Sequence, residues 1–417
     1  MNPFLIVSIV TLFLVFFIDW YVYQGLKTAV KNLKSSLQKF FIGAHWFFFA
    51  ATIITIITAL IINHYYWPKL FRSFWLPLVF ISYLSKVFVI LFILADDVRR
   101  TVKFIIYKLK GPTTEIGNGP RISRAKFLSQ AGIIAGTIPF GVSIYGMSAN
   151  AYNYQYRKIP LYIKNLPKAF IGKKIVQISD IHTGSLSFKN PVWEVVKNIN
   201  KENPDLIFFT GDLVNDRSEE LLEYKDILAH LKADTGIFSV LGNHDYGDYL
   251  PWPSQEEKEK NFNQLLTHQK EMGWDMLNND HFIWSRKGSK AGIIGVENWS
   301  NKMRFPRYGD MEKAIKGMPL TDTNLLLSHD PSHWDYEILK KHKNIDVTFS
   351  GHTHGFQFGI ETENWKWSPV QFVYKRWAGL YQEGHNQLYV NRGLGFIGYP
   401  GRIGILPEVS IFTLHSA

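Results

Sequence analysis

The sequence predicts two parts: a bundle of about four transmembrane helices over residues 1–150, then an α/β or α+β domain with central sheets over residues 151–417. Three observations predict it. Long apolar runs crowd the first 150 residues. The formal charge of +11 lies there too: residues 1–150 hold 15 Lys and Arg against 4 Asp and Glu, and residues 151–417 hold 31 of each. Beyond residue 170, short β-rich runs alternate with helix-like segments.

Four apolar runs define the first part: residues 4–24, 41–63, 74–95 and 128–149. A helix needs about 20 mostly apolar residues to cross the hydrocarbon core. The first three runs qualify outright. The fourth, LSQAGIIAGTIPFGVSIYGMSA, is rich in small residues, which are common where membrane helices pack. The first run lacks a basic n-region and is followed by Lys27, so it does not resemble a cleaved signal peptide.

Loop charge orients the bundle. Loop one carries Lys27, Lys31, Lys34 and Lys39, and loop two only Lys69 and Arg72. Loop three carries Arg99, Arg100, Lys103, Lys108, Lys110, Arg121, Arg124 and Lys126. Basic loops stay in the cytoplasm. Four crossings then place the large domain on the outer face of a bacterial cytoplasmic membrane. Without the fourth crossing it would be cytoplasmic. Asp19, beside Trp20, Tyr21 and Tyr23, is expected to snorkel, and Lys86 lies deeper without an assigned role. A pI near 9.4 raises nucleic-acid binding, but the cations sit in loops between hydrophobic runs, so the lipid bilayer is the expected partner and nucleic acid is not. The absence of cysteine excludes disulfides, thiolate metal sites and Cys nucleophiles.

After the polar stretch YNYQYRKIPLYIKNLP come eight β-rich runs: 173–179, 205–211, 236–242, 291–297, 324–329, 346–351, 387–393 and 409–414. Helix-like segments lie at NPVWEVVKNINKE, SEELLEYKDILAHLKA and QEEKEKNFNQLLTHQKEMG. Five runs end in chemistry. Asp180 and His182 follow the first, Asp212 the second, and Asn243, His244 and Asp245 the third. His329 follows LLL, and His352 and His354 follow DVTFS. Ligand sites form at strand ends, and glycines there let backbone approach closely. An Asp-x-His or His-x-His pair puts two ligands on one side of an extended segment, because strand side chains have period two. Any one such pair is ordinary; five coincident strand ends are not. Imidazole with carboxylate and no sulfur suits Mn, Fe or Zn. So many ligands suit two divalent metal ions with a shared carboxylate rather than one tetrahedral ion.

The ordered blocks Asp-x-His, Gly-Asp, Gly-Asn-His-Asp, His and Gly-His-x-His resemble the calcineurin-like metallophosphoesterase superfamily over about residues 170–417. The stretches IVQISDIHTG and NRGLGFIGYPGRIGILPEVSIFTL are similar to its membrane-anchored bacterial branch. The resemblance implies a four-layer αββα sandwich with a dinuclear metal site at its sheet edges. It would place Asp180, His182 and His354 on one metal, Asn243, His329 and His352 on the other, and Asp212 between them. His244 would stabilise phosphoryl charge or protonate the leaving oxygen, with Asp245 orienting it. The implied reaction is hydrolysis of a phosphate mono- or diester by metal-activated hydroxide, on a lipid-linked or envelope substrate. Two other readings remain: a UDP-2,3-diacylglucosamine pyrophosphate hydrolase of lipid A synthesis with a cytoplasmic catalytic domain, and a non-catalytic membrane scaffold of the same fold.

The chain departs from the family pattern at Asn215, where an aspartate is usual, and at Phe356, where a glycine is usual. Neither position is expected to touch a ligand, and Phe356 is expected to shape the pocket. Three weaker segments are candidate rims: 245–253, 298–310 with Arg304 and Arg307, and the aromatic, basic stretch 363–382, which suits a lipid interface or ordinary core.

Overall fold

Apolar length becomes helix throughout the N-terminal part. The computed structural model describes residues 3–62, 67–110, 124–305 and 307–417; Asn63 and Arg121, used above for a span and a loop charge, lie outside the described residues. The chain divides into two units, Met1–Tyr145 and Gly146–Ala417. The first contains α1 (Pro3–Val30), α2 (Ser35–Ile61), α3 (Leu76–Lys110) and α4 (Arg124–Tyr145). Four segments, Ile9–Val30, Ser35–Ile61, Phe71–Leu109 and Ala125–Asn150, are long and apolar enough to cross a membrane. Helix outruns hydrophobicity in α3. Past residue 95, Asp96 accepts from Arg99 at 3.0 Å and Arg100 at 2.7 Å, and Asp97 accepts from the Tyr21 hydroxyl at 2.7 Å. The one-turn Asp96–Arg99 and Asp96–Arg100 pairs, with the Tyr21 contact from α1, carry the helix beyond the apolar run.

Small residues in α4 admit α3. A Cβ on Gly136 would lie 3.0 Å from the Ser85 carbonyl oxygen, and one on Gly132 3.2 Å from that of Val89. Asp19 does not snorkel. It is fully buried, with Lys86 Nζ 2.7 Å from Oδ1 and the Tyr83 hydroxyl donating to Oδ2 at 2.6 Å. His45 Nε2 stands 3.4 Å from Oδ1. A charge removed from water requires a partner, and Tyr83 and Lys86 share the face of α3 that supplies it.

The second unit builds two six-stranded sheets. In chain order the strands are β1 (Gln155–Ile163), β2 (Lys174–Ile178), β3 (Leu206–Phe209), β4 (Gly236–Ser239), β5 (Asp275–Met276), β6 (Asp280–Arg286), β7 (Ser289–Gly295), β8 (Thr323–Leu327), β9 (Val347–Ser350), β10 (Ile360–Glu361), β11 (Lys366–Trp367), β12 (Gly379–Glu383), β13 (Asn386–Val390) and β14 (Glu408–Ser416). One sheet runs β1-β14-β2-β3-β4-β5, the other β12-β13-β9-β8-β7-β6. Strands β2, β3, β4 and β5 are parallel, as are β7, β8, β9 and β13. Their carboxyl ends therefore gather on one edge.

Strand period two sorts the core. Leu206 and Phe208 of β3 face the second sheet and pack with Leu325, Leu327, Val347 and Phe349. Ile207 and Phe209 face outward onto Val192, Val195, Val196 and Ile199 of α5 (Lys189–Lys201). That i, i+3, i+4, i+7 spacing is the apolar stripe of an amphipathic helix. On the far side Ile294, Leu326 and Val390 pack against Trp334 and Ile338. The layers are thus αββα.

Two local readings change. The polar stretch before residue 167 is strand β1, paired in parallel with all nine residues of β14; its apolar Leu161 and Ile163 are buried and its intervening side chains exposed. The helix-like segment 218–233 holds only a 3-10 turn, Ser218–Leu221, and one short helix, α6 (Lys225–Leu228), joined by turn residues. The third helix-like segment forms α7 (Gln255–Glu271), capped by Ser254 Oγ, which accepts from Glu257 N at 3.2 Å.

Asp19→Ala and Lys86→Ala should each lower the unfolding midpoint of the detergent-solubilised chain by several degrees. An orphaned buried charge costs about 3–5 kcal/mol. The double substitution should do less damage than the two single effects combined; strict additivity would show that the pair is uncoupled.

Candidate metal centre

Five loops leave the gathered strand ends and carry every predicted site residue to one place. Donor atoms of Asp180, His182 and His354 all lie within 4.8 Å of one another, and so do those of Asp212, His329 and His352. His182 Nε2 and His354 Nε2 face each other at 3.1 Å, with His354 Nε2 3.3 Å from Asp180 Oδ1. In the second group His329 Nε2 lies 3.2 Å from both Asn243 Oδ1 and His352 Nδ1. Asp212 Oδ2 stands between the groups, 3.5 Å from His182 Nε2 and 3.2 Å from His329 Nε2.

Strand period does not produce this convergence. Asp180, His182, Asp212, His352 and His354 all lie past the strand ends with φ between 48° and 71°. The left-handed backbone turns each side chain inward from a tight loop. The glycines make room for neighbouring protein rather than for ions alone. A Cβ on Gly242 would sit 2.2 Å from Asp212 Oδ1, and one on Gly351 2.2 Å from Asp180 Oδ2.

Backbone groups hold the site residues in turn. Asp212 Oδ1 accepts from His244 N at 2.9 Å, which leaves Oδ2 to the imidazoles. His329 Nδ1 donates to the Thr210 carbonyl at 2.7 Å, so Nε2 offers its lone pair inward. Asp245 departs from its expected role. Its carboxylate accepts from the backbone N–H of Gly242, Asp212, Leu213 and Val214, at 2.8–3.3 Å, and pins the β3 and β4 loops together. His244 is oriented instead by Asn215, whose carbonyl accepts from Nδ1 at 2.7 Å, and by the Tyr249 ring, 4.7 Å away. Tyr249 comes from the first candidate rim, and its hydroxyl accepts from Asn243 Nδ2 at 2.9 Å.

The model of the family described as "calcineurin-like phosphoesterase" matches residues 173–356, and that of a "probable calcineurin-like phosphoesterase, transmembrane domain" matches residues 2–151. The chain is 31% identical over 255 residues to the uncharacterized metallophosphoesterase YkuE of Bacillus subtilis, covering 60% of this chain and 82% of that one. The chain belongs to the calcineurin-like metallophosphoesterases. A "transmembrane protein with metallophosphoesterase domain" of Danio rerio is 28% identical over 294 residues, which is 68% of this chain and 63% of the relative's length. The UDP-2,3-diacylglucosamine pyrophosphatase LpxG of Chlamydia trachomatis is 27% identical over 279 residues, 55% of this chain and 81% of that one.

The electrostatics of this metallophosphoesterase site suit cations. Burial opposes charge on Asp212, but His329, His244 and His182 surround it and hold its carboxyl well below the usual range. Burial, with the Asp212 charge adding to it, pushes Asp180 up to about 7. Burial drives His182 down to about 3 and His352 to about 4, and holds His354 well below its ordinary value. His329 differs: despite burial, Asp212 carries it up to about 10. The imidazole nitrogens of His182 and His354, kept neutral and facing each other at 3.1 Å beside buried carboxylates, fit a divalent metal ion.

Sequence reasoning missed Tyr374, which lies beyond the matched residues inside the aromatic stretch. Its hydroxyl accepts from His352 Nε2 at 2.8 Å and donates to Asp330 Oδ2 at 3.2 Å. That chain places the ring proton on Nε2 and turns the Nδ1 lone pair toward His329. Only folding brings residue 374 to residue 352; no local motif signals it. Arg402, also missed, is fully buried and donates through Nη1 to the Arg392 carbonyl at 2.8 Å and that of His354 at 3.3 Å. Tyr374→Phe should weaken metal affinity about 10–100-fold, the usual cost of removing such a supporting partner. Metal titration of the purified chain checks it; unchanged affinity would show that Tyr374 does not position His352.

Proposed function

We propose that the chain is a membrane-bound phosphoesterase whose centre holds two divalent metal ions and hydrolyses phosphate mono- or diesters, on a lipid-linked or envelope substrate. Membership in the family makes it a phosphoester hydrolase with a membrane domain. The observation that carries the two-ion reading is Asp212 Oδ2, poised between the two donor groups. Asp180, His182 and His354 would hold one ion, Asn243, His329 and His352 the other, and Asp212 would bridge them. When bound, such ions lower the pKa of water and neutralise phosphoryl charge.

The chain's own residues do the rest. His244 lines the cavity and keeps its Nδ1 proton on the Asn215 carbonyl. Its Nε2 is thereby the free nitrogen; once that nitrogen also carries a proton, its N–H donates to a phosphoryl oxygen or passes its proton to the departing oxygen. Asp245 holds the loops that set the distance between Asp212 and His244. Loop charge supports an outer-face catalytic domain. The likeness to a UDP-2,3-diacylglucosamine pyrophosphatase favours a second reading, a related diphosphate substrate met on the cytoplasmic face.

Purified chain should hydrolyse an aryl phosphate ester with added Mn²⁺ and lose that activity in chelator. Asp212→Ala and His352→Ala should lose metal and activity together; full retention of both would sink the assignment. His244→Ala should keep its metal while kcat falls about 10²–10⁴-fold, the usual worth of a positioned acid. A reporter active only outside the cytoplasm, fused after residue 160, should give signal; cytoplasmic fluorescence from the same junction would support the second reading instead.

A further inference from the structure

We propose that the cavity beside the metal centre holds an apolar chain carried by the phosphoester, and that Phe356 selects for it. The inference rests on the phosphoesterase reading and names the substrate class for that same site. Phe356 occupies φ 59°, a left-handed backbone that favours glycine. Burial does not compensate, for the ring is 62% exposed. A bulky side chain kept in an unfavourable conformation and left out of the core is not explained by packing. It is explained by what it faces.

The ring lines a cavity of about 500 Å³, together with Val370, Val373, Ile397 and Tyr399. That volume is far more than one phosphoryl group fills. His182, His244 and His352 of the metal centre line the same cavity. So do Lys302 and Arg304, whose cations rest over the Tyr374 and Phe305 rings at 5.5 and 4.6 Å. One space therefore offers both cations with imidazoles and a set of apolar side chains. An anionic headgroup bearing an alkyl, acyl or prenyl chain matches both kinds of lining. A wholly polar ester would leave the apolar wall in water.

Val373 lines this cavity and is 56% exposed, so the apolar lining reaches solvent there. Gln357 fixes the facing loop: its Nε2 donates to the Tyr399 carbonyl at 2.7 Å, and its Oε1 accepts from Ile397 N at 2.7 Å. The wall is accordingly preformed.

The test compares methyl and octyl esters, as simple alkyl phosphates and as alkyl p-nitrophenyl phosphates, on the full metal-loaded chain in detergent. For the esters it cleaves, kcat/KM should be about 30-fold higher for octyl than for methyl, the worth of a few buried methylenes. Phe356→Asp and Val373→Asp should cut that ratio below about threefold, a polar wall having removed the burial. Phe356→Gly, which suits the backbone, should fold and still lower the ratio. Leu222→Asp, exposed and away from the cavity, should leave the ratio at the wild-type value. A wild-type ratio near one, with measurable methyl-ester turnover, would overturn the inference and leave the phosphoesterase reading standing. So would a high ratio that survives both Asp substitutions, since the chain would then be partitioning into detergent rather than onto this wall. Metal-loaded protein that cleaves no ester overturns both.

Discussion

The carboxylate of Asp212 has to be reached from both sheets at once. His182 comes from the loop after β2 in one sheet, and His329 from the loop after β8 in the other, yet both stand within 3.5 Å of the same oxygen. The rest of the second unit serves that requirement. Two sheets must pack face to face with their parallel strands ending on a common edge. The loops must then be short, or their side chains would not meet. The second Asp212 oxygen is tied to the His244 backbone, and Asp245 locks the β3 and β4 loops with four backbone hydrogen bonds. A carboxylate so fully satisfied on one side has its free electron pairs on the other.

The same constraint recurs in the first unit with a different solution. Asp19 is as deeply buried as Asp180, but it meets Lys86, Tyr83 and His45 instead of a set of imidazoles with open lone pairs. A carboxylate answered by an ammonium and a hydroxyl is closed, with its charge neutralised within the protein. One answered mostly by neutral imidazoles still lacks positive charge, and it is there that a cation is needed. The partners, not the burial, separate a structural carboxylate from a site.

Much of this was legible in the residues. Strand period located most of the central strands, and the five strand-end blocks named the aspartates, histidines and asparagine that the fold gathers, because apolar alternation and ligand chemistry are local properties. What stayed hidden is non-local or lies in backbone geometry. β1 reads as polar because only Leu161 and Ile163 of its nine residues are fully buried, and its partner, β14, lies at the other end of the unit. The inward turn of the ligands comes from left-handed φ at five residues, not from strand period, and aspartate and histidine do not announce that conformation as glycine does. The resemblance implied that Asp245 orients His244; folding turns its carboxylate onto four backbone amides instead.

The aromatic stretch 363–382 shows why a family match stops short of the whole site. Residues 173–356 carry the matched pattern and both groups of candidate donor side chains. The segment beyond them folds back over the centre. Val370, Tyr374, Trp377 and Ala378 make a small core with Ile405. From that base Tyr374 reaches His352, and Thr353 Oγ1 donates to the Trp377 carbonyl at 2.6 Å. Between the buried residues, Val373 stays exposed and lines the cavity. One segment thus both holds His352 through Tyr374 and lines the cavity with Val370 and Val373. Repacking that stretch acts on both, because Val373 and Tyr374 are neighbours in the chain.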